Sequence, residues 1–560
     1  MSKRVRALQI FFLVWSIVII GRLTYWQIFK SSQLKDEASS QYFRTTQIPS
    51  SRGEIVSADG FPLVSNQENY LVYVNLAASP SGQALSQLAN TLPASSSAKF
   101  LIQEAKVNSL SWIVLDHNLP ATLKKAISDQ KIPGVGFEAE PNRIYPEGSP
   151  SAYLSGFVGK DASGNPRGYF GLEGYYDREL SGKPGKLLQE KDAFGRPIVI
   201  GGFNRIPPQN GRSLATSIDR TVQFIAYQKL SAGLKKYQSI SGTVSIMDSS
   251  SGQILAMVAI PGYDPASYTE FSPNLYRNPI VSEFYEPGST FKTIVMASAL
   301  DAKAITTATV CDICSGSAIY SGMKVSSWDG KYYPNSSMSD IILHSDNVGM
   351  TFVGQKLGKE KLLSYIKKFG IGRLTGIDLQ EESTPELRPD SEWVDIDYAT
   401  ATFGQGIAIT PIQLLTAVNA IANHGVLVSP RIVNQIVSPE GVKKPSFPKP
   451  VTVISPLAAA QTTEMMINGV NNGAASAYKP KGYLIAGKSG TAQVPISGHY
   501  DTNNVVSSFI GFAPADDPKF TMLVTLHQTN STDWGSTTAA PIWFSIASEL
   551  FRYFNISPKL

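Results

Sequence analysis

The sequence predicts an α+β protein with one N-terminal transmembrane helix, an extended β-rich module and a larger domain in which helices cover an antiparallel sheet. An apolar stretch near the start predicts the helix, and turn signals between short strand-like runs predict the module. Strands that flank a long helical region predict the larger domain. We therefore expect a tail over residues 1–6, a membrane anchor over 7–29, a pedestal over 30–212 and the larger domain over 213–560.

The composition supports folded domains and excludes several classes of protein. The chain has 560 residues, of which 42% are hydrophobic and 17% are charged, so it is neither disordered nor a polyelectrolyte. Its formal net charge is +5, without a long basic run, and a nucleic-acid partner is not expected. Two cysteines exclude a disulfide-dense scaffold and a protein with several zinc sites.

The anchor is predicted from the length and the flanks of its apolar stretch. Residues 7–29 exceed the ~20 residues that span a bilayer. Lys3, Arg4 and Arg6 precede them and predict a cytoplasmic N-terminus, with the rest of the chain on the other side. A cleaved signal peptide is the alternative, but no clear small-x-small site follows directly, so an anchor is favoured.

Strand and helix signals then follow in order. In the pedestal, residues 70–75 and 198–200 read as strands, and no long helical period appears. The larger domain is predicted to begin with a strand at 213–218, a helix at 220–237 capped by Asp219, and a hairpin of 242–247 and 253–258. Helices follow over 290–425, including a core helix near 407–422. Strands at 483–485 and 520–527 and an amphipathic helix at 541–554 complete the domain.

Cys311 and Cys314 stand three residues apart. A local disulfide and two free thiols both fit the spacing. A thioredoxin-like site needs a helix to open at the motif, whereas Ser315, Gly316 and Ser317 follow here. A structural role is therefore favoured over redox chemistry.

The candidate nucleophile is a serine paired with a lysine. No Gly-x-Ser-x-Gly elbow is present, so the five histidines are not expected to act as bases. Ser-x-x-Lys occurs at several places, and only Ser289 and Lys292 begin a strongly apolar helix, directly after Pro287 and Gly288. The helix N-terminus favours negative charge at Ser289, and burial would lower the pKa of Lys292. Taken alone, Ser289 could equally cap a core helix.

Two later segments favour catalysis. One holds Ser345 and Asn347 around Asp346, and the other runs from Lys488 through Ser489 and Gly490 to Thr491. Each has a plain alternative, a helix cap for the first and a strand-end turn for the second. The ordered set Ser-x-x-Lys, Ser-x-Asn, Lys-Ser-Gly is typical of penicillin-binding proteins and serine β-lactamases.

Across nearly its whole length the chain resembles a class B penicillin-binding protein, a membrane-anchored monofunctional peptidoglycan D,D-transpeptidase. The segments that carry the resemblance, besides the three motifs, are residues 21–23, 52–55 with 59–60, 143–146, 171–176, 403–406 and 410–413. No glycosyltransferase domain fits between anchor and pedestal. The resemblance implies a dimerisation-like pedestal followed by a transpeptidase domain of the penicillin-binding and serine β-lactamase type.

The resemblance also implies roles for the catalytic residues. Ser289 would attack the penultimate D-Ala carbonyl of a stem peptide, and Lys292 would take its proton. Ser345 would relay a proton to the leaving D-Ala, Asn347 would hold the substrate amide, and Lys488 would supply positive potential.

Three more residues would hold the substrate. Ser489 and Thr491, on either side of Gly490, would face the substrate carboxylate. Backbone N–H groups of Ser289 and Thr491 would form the oxyanion hole. β-Lactams would acylate Ser289, and no cofactor or metal is implied.

By the same resemblance, the chain lies in the bacterial inner (cytoplasmic) membrane with its catalytic domain outside the cytoplasm. It would work with a polytopic membrane glycosyltransferase and other divisome proteins. Residues 345–350 and 403–406 favour a division role over an elongation role. A D,D-carboxypeptidase, a serine β-lactamase, a β-lactam sensor and an inactive division scaffold remain the alternatives.

Overall fold

The computed structural model describes residues 2–76, 81–93, 97–107, 112–190, 203–496, 499–529 and 534–559. Two compact units interleave along the chain. The first comprises Met1–Arg52 and Ser181–Gly211, and the second comprises Gly53–Leu180 and Arg212–Leu560. The strand predicted at 198–200 lies outside the described residues.

The elements are numbered in chain order. The helices are α1 (Lys3–Thr24), α2 (Ser31–Tyr42), α3 (Gly82–Thr91), α4 (Ala98–Val107), α5 (Ala121–Ser128), α6 (Ala152–Ser155), α7 (Gly171–Tyr175), α8 (Asp177–Leu180), α9 (Arg220–Tyr237), α10 (Pro279–Ser282), α11 (Lys292–Asp301), α12 (Met338–Leu343), α13 (Asn347–Leu357), α14 (Lys359–Lys368), α15 (Asp395–Ala401), α16 (Pro411–Ala422), α17 (Pro456–Asn472) and α18 (Ala539–Tyr553). The strands are β1 (Phe43–Ile48), β2 (Ile55–Val56), β3 (Pro62–Asn75), β4 (Trp112–Pro120), β5 (Val135–Ile144), β6 (Phe157–Lys160), β7 (Pro166–Tyr169), β8 (Gly185–Glu190), β9 (Phe203–Ile206), β10 (Ser213–Thr216), β11 (Ser241–Asp248), β12 (Ile254–Ile260), β13 (Ala318–Tyr320), β14 (Met323–Val325), β15 (Val426–Leu427), β16 (Val433–Ser438), β17 (Gly441–Lys443), β18 (Val451–Thr452), β19 (Ala486–Ile496), β20 (His499–Ala513) and β21 (Phe520–Thr529).

The first unit contains the predicted anchor. Helix α1 continues through a π-helical turn, Tyr25–Phe29, and the combined helix Lys3–Phe29 has a mean hydropathy of 1.9 with none of its side chains buried. Its length and composition therefore fit a single-pass membrane anchor. Strands β1, β8 and β9 form a separate antiparallel sheet in this unit.

One sheet of the second unit joins strands from distant parts of the chain. Strand β3 pairs with β2, β4 and β5, while β10 pairs in parallel with β2 and antiparallel with β16. Helices α3, α4 and α5 place Leu85, Leu88, Ile102 and Ile127 in one core with strand residues such as Val72. The sequence showed no long helical period here because each of these helices has ten residues or fewer.

A buried arginine ties the beginning of the second unit together. The Arg143 guanidinium donates to Glu173 Oε1 at 2.7 Å, to Asn66 Oδ1 at 2.9 Å and to the Gly53 carbonyl at 2.7 Å. Its side chain is 8% exposed and that of Glu173 is fully buried. The three acceptors satisfy a charge that would otherwise be costly to bury.

A five-stranded antiparallel sheet, ordered β12-β11-β21-β20-β19, forms the centre of the larger predicted domain. Helices α9 and α18 contribute residues such as Leu230 and Trp543, respectively, to one core. The Asp219 side chain accepts from the Thr221 and Val222 N–H groups and caps α9, as the sequence predicts. The predicted hairpin and the terminal helix are likewise confirmed, as β11–β12 and α18.

A second core holds the helices that position the site. Helix α11 is buried along nearly its whole length, and every residue of α16 is buried, as predicted for a core helix. The strand predicted at 483–485 is wrong by a few residues, because pairing with β20 begins only at Ala486. The apolar residues before it resemble a strand in composition but lie outside the ladder.

Cys311 and Cys314 form a disulfide, and both are fully buried. The Cys311 N–H donates to the Ser336 carbonyl at 2.9 Å, next to Ser337, whose side chain caps α12. The bridged loop is therefore hydrogen-bonded to the residue that precedes the N-cap of α12, one of the helices of the candidate site.

Candidate active site

Ser289 lies in a 3-10 turn, Gly288–Phe291, that leads into α11. The turn is held from outside by Gly404, whose carbonyl accepts from the Gly288 N–H at 3.0 Å. A Cβ on Gly404 would lie 2.2 Å from the Gly288 oxygen, and both glycines have positive φ. The close approach therefore requires glycine at position 404 and fixes the backbone beside Ser289.

Lys292 follows one turn later and is fully buried. Its Nζ donates to the Ser345 carbonyl at 2.6 Å and to Asn347 Oδ1 at 2.8 Å, and it lies 3.2 Å from Ser345 Oγ. Burial holds the pKa of Lys292 well below its usual value; the charge of Lys488 lowers it further and the carboxylate of Asp346 raises it.

All three contacts of Lys292 are available to a neutral amine, the form that its lowered pKa favours. A carbonyl and an amide oxygen can only accept, so they take the two amine protons. Ser345 Oγ accepts from Nζ in this arrangement, and its hydroxyl can also donate to the lone pair of the neutral amine. The arrangement can accept a proton from one hydroxyl and pass it through another.

The position of Ser345 follows from how α12 ends. The Ser345 N–H donates to the Ile342 carbonyl at 3.3 Å and the Asp346 N–H donates to the Ile341 carbonyl at 3.0 Å, the pattern of a Schellman motif. Ser345 takes the left-handed position of that motif, with φ +54°, where glycine is usual. This conformation costs about 1 kcal/mol and turns both Ser345 oxygens toward one amine.

Asp346 and Asn347 begin the next helix. Asp346 caps α13 by accepting from the Val348 N–H at 2.8 Å, so the predicted cap is present together with the candidate catalytic contacts. Asn347 Nδ2 donates to the Ser326 carbonyl at 3.1 Å. That bond orients the amide so that its oxygen faces Lys292.

The third motif lies within a strand and not in a strand-end turn. Lys488, Ser489, Gly490 and Thr491 belong to β19, which pairs with β20. Lys488 is 6% exposed, and burial lowers its pKa to about 8. Its Nζ donates to the Ser489 carbonyl at 3.0 Å.

Gly490 brings this strand against the turn that carries Ser289. A Cβ on Gly490 would lie 2.9 Å from Thr290 Cγ2 and 3.0 Å from the Pro287 oxygen. On the other side, the Gly535 N–H donates to Thr491 Oγ1 at 2.9 Å. Strand and turn are therefore packed directly against each other, and both line one cleft.

The cleft has a volume of about 360 Å³. Six of the eight predicted site residues line it, namely Ser289, Ser345, Lys488, Ser489, Gly490 and Thr491. Of the other two, Lys292 contacts Ser345, and Asn347 contacts Lys292. The structure thus brings all eight predicted residues together from three distant segments.

The cleft also has aromatic residues that no sequence motif predicts. Trp328 and Trp534 meet edge to face with ring centroids 4.6 Å apart, and Tyr333 stacks on His344 at 3.8 Å. All four line the cavity. The two tryptophans are separated by about two hundred residues, and no motif marked them.

Comparison with known proteins gives two family matches. The penicillin binding protein transpeptidase domain matches residues 242–548, and the penicillin-binding protein dimerisation domain matches residues 47–216. The first covers more than half of the chain.

Three relatives are similar over nearly the whole chain. Stage V sporulation protein D of Bacillus subtilis is 32% identical over 100% of this chain and 86% of its own length. Peptidoglycan D,D-transpeptidase FtsI of Escherichia coli K12 is 27% identical over 96% and 90%. The crystal structure of a peptidoglycan synthetase from Bifidobacterium adolescentis superposes with a TM-score of 0.74 at 26% identity, over 92% of this chain and 98% of that one. The chain therefore belongs to the penicillin-binding protein family, as a class B member with a dimerisation domain ahead of its transpeptidase domain.

Proposed function

We propose that this chain is a peptidoglycan D,D-transpeptidase that works through an acyl-enzyme on Ser289. The observation that carries the proposal is the buried amine of Lys292, one helical turn from Ser289 and held by Ser345 and Asn347. A neutral lysine in contact with a second hydroxyl is suited to activate a serine without histidine.

Acylation begins when Ser289 Oγ attacks the carbonyl of the penultimate D-Ala and its proton passes to Lys292. The tetrahedral oxyanion is held by the backbone N–H groups of Ser289 and Thr491, which are worth ~3–4 kcal/mol each in comparable sites. The C–N bond to the terminal D-Ala then breaks, and Ser345 delivers the proton to the departing amine.

The substrate is held by groups around these atoms. Asn347 offers its amide to the peptide backbone of the stem peptide. Lys488 supplies positive potential from the strand, and with the hydroxyls of Ser489 and Thr491 it receives the terminal carboxylate. Once D-Ala has left, an amine of a second stem peptide attacks the ester and completes the cross-link.

β-Lactams should acylate Ser289 by the same route, since their strained amide mimics acyl-D-Ala-D-Ala. Ser289→Ala should abolish labelling by a fluorescent penicillin because it removes the attacking oxygen, and Ser345, the other serine beside Lys292, acts in this mechanism as the proton relay. Ser364→Ala is the matched control, as Ser364 is an exposed serine of a second Ser-x-x-Lys sequence on α14. Labelling that survives in Ser289→Ala would refute the assignment.

Two related activities are separated by their products. A D,D-carboxypeptidase would release D-Ala with water alone, without forming a cross-linked dimer when an acceptor amine is added. A β-lactamase would hydrolyse the penicilloyl ester, so a long-lived adduct on Ser289 excludes it.

The cellular setting completes the proposal. The N-terminal helix would anchor the chain in the cytoplasmic membrane of a bacterium, with residues 1–6 inside and residues 30–560 outside. The pedestal over 30–212 and the transpeptidase domain over 213–560 would serve septal wall synthesis beside a polytopic glycosyltransferase and other divisome proteins. Depletion of the chain should produce undivided filaments; rounded cells that still divide would instead indicate an elongation role.

A further inference from the structure

Asp346 is a buried acid in the middle of the candidate site, and capping a helix does not require its charge. Its residue is 2% exposed, and Oδ1 accepts from the Val348 N–H at 2.8 Å. Its other oxygen, Oδ2, is buried with no hydrogen-bond partner among the described residues. Serine, threonine or asparagine would cap α13 about as well without a buried charge.

A buried carboxylate with a free oxygen costs free energy unless positive charge lies near it. Asp346 stands between Ser345 and Asn347, the two residues whose oxygens hold the Lys292 amine. Two lysines are buried here, Lys292 on α11 and Lys488 on β19. The carboxylate is therefore placed to offset positive charge that would otherwise accumulate in a closed site.

The groups that face Lys292 act on it in opposite directions. Burial and the Lys488 charge lower the pKa of Lys292, while the Asp346 carboxylate raises it. Without that carboxylate the amine would lose its proton at lower pH and would be a weaker base. A base is most effective when its pKa lies close to the working pH.

Resting on the proposed function, we propose that Asp346 is a positioning residue of the acylation site, which aligns Ser345 and Asn347 on Lys292 by capping α13 and balances the charge of Lys488 at that amine. Asp346 does not reach the substrate in this role. It acts only through Lys292.

The test removes the charge and keeps the cap. In the full-length chain, Asp346→Asn retains an oxygen for the Val348 N–H, and the rate of acylation by a fluorescent penicillin is measured against pH. The acid limb of the rate profile is the low-pH side, where protonation of Lys292 slows acylation. We expect its midpoint to move down by about one pH unit, the scale on which a nearby opposite charge shifts a pKa. The melting temperature should change little, because asparagine is an equally good cap.

Two further variants keep the test decisive. Asp346→Ser also retains a cap acceptor without charge and should show the same displaced limb. Asp219→Asn makes the same change at the N-cap of α9 and should leave the profile in place. An acid limb that does not move in either folded Asp346 variant, or that moves equally in Asp219→Asn, would overturn the proposal. Loss of labelling in Ser289→Ala tests the proposed function separately.

Discussion

Glu381 should make the second unit less stable as pH rises. Its Oε2 accepts from the Gly171 N–H at 2.9 Å, while Oε1 is buried with no partner among the described residues. Burial raises the pKa of Glu381 to about 7 from an ordinary value of 4.5, although the Gly171 N–H and the charge of Arg277 oppose the rise. Glu381→Gln keeps the size and one acceptor of the side chain and removes its titration.

The sign and size of the effect follow from this pKa. Because the folded protein holds the proton to higher pH than the unfolded chain does, the stabilising contribution is fully present below pH 4.5. It is lost as pH rises through 7. The displacement corresponds to about 3 kcal/mol in the free energy of unfolding at pH 8, as an order of magnitude. Glu381→Gln should therefore gain stability relative to the native chain as pH increases.

The measurement is the difference in melting temperature between Glu381→Gln and the native chain at pH 5 and pH 8, for the full-length protein in detergent. Any fixed effect of the new amide cancels when the two differences are compared. Glu386→Gln, an exposed position on the same segment, controls for net charge. A melting difference that stays constant across this pH range would refute the reasoning.

Two other substitutions test how the site and the second unit are held. Gly404→Ala places a Cβ 2.2 Å from the Gly288 oxygen and forces alanine to adopt a positive φ. Penicillin acylation should therefore slow at least ~10-fold, and the melting temperature should fall. Arg143→Lys keeps the charge but loses the forked donors to Glu173 and the Gly53 carbonyl, and should cost ~1–3 kcal/mol in stability, measured by thermal unfolding. Penicillin labelling of Arg143→Lys well below its melting temperature should survive.

The parts of the fold that local signals encode could be predicted from the sequence. Asp219 marked the start of α9, and the spacing of apolar residues marked the terminal helix. The parallel pairing of β2 with β10 could not be predicted, because nothing in either short strand identifies a partner so far away. The strand predicted at 483–485 lies just before β19 and does not overlap it, because the apolar residues there resemble a strand only in composition.

In the site, too, features encoded by local sequence could be predicted, and contacts between distant segments could not. The three motifs contain all eight predicted residues, because each motif is short and combines residue types with a recognisable chemical role. The Trp328–Trp534 contact and the close approach of Gly535 to β19 depend on loops that meet only after folding. Asp346 lies inside one of the motifs, but the sequence does not show that Lys292 and Lys488 are buried near its charge.

In the proposed mechanism Lys292 acts as a neutral base, and this requirement accounts for a site assembled from three distant segments. An exposed lysine keeps its proton at neutral pH, so a lysine base must be buried where oxygens accept its hydrogens without a carboxylate in direct contact. Helix α11 supplies the burial, and the turn between α12 and α13 supplies the oxygens of Ser345 and Asn347. Strand β19 closes the cleft and adds a second positive charge. In the role proposed for Asp346, a carboxylate one residue from each of those oxygens adjusts the base without forming a salt bridge that would keep it protonated.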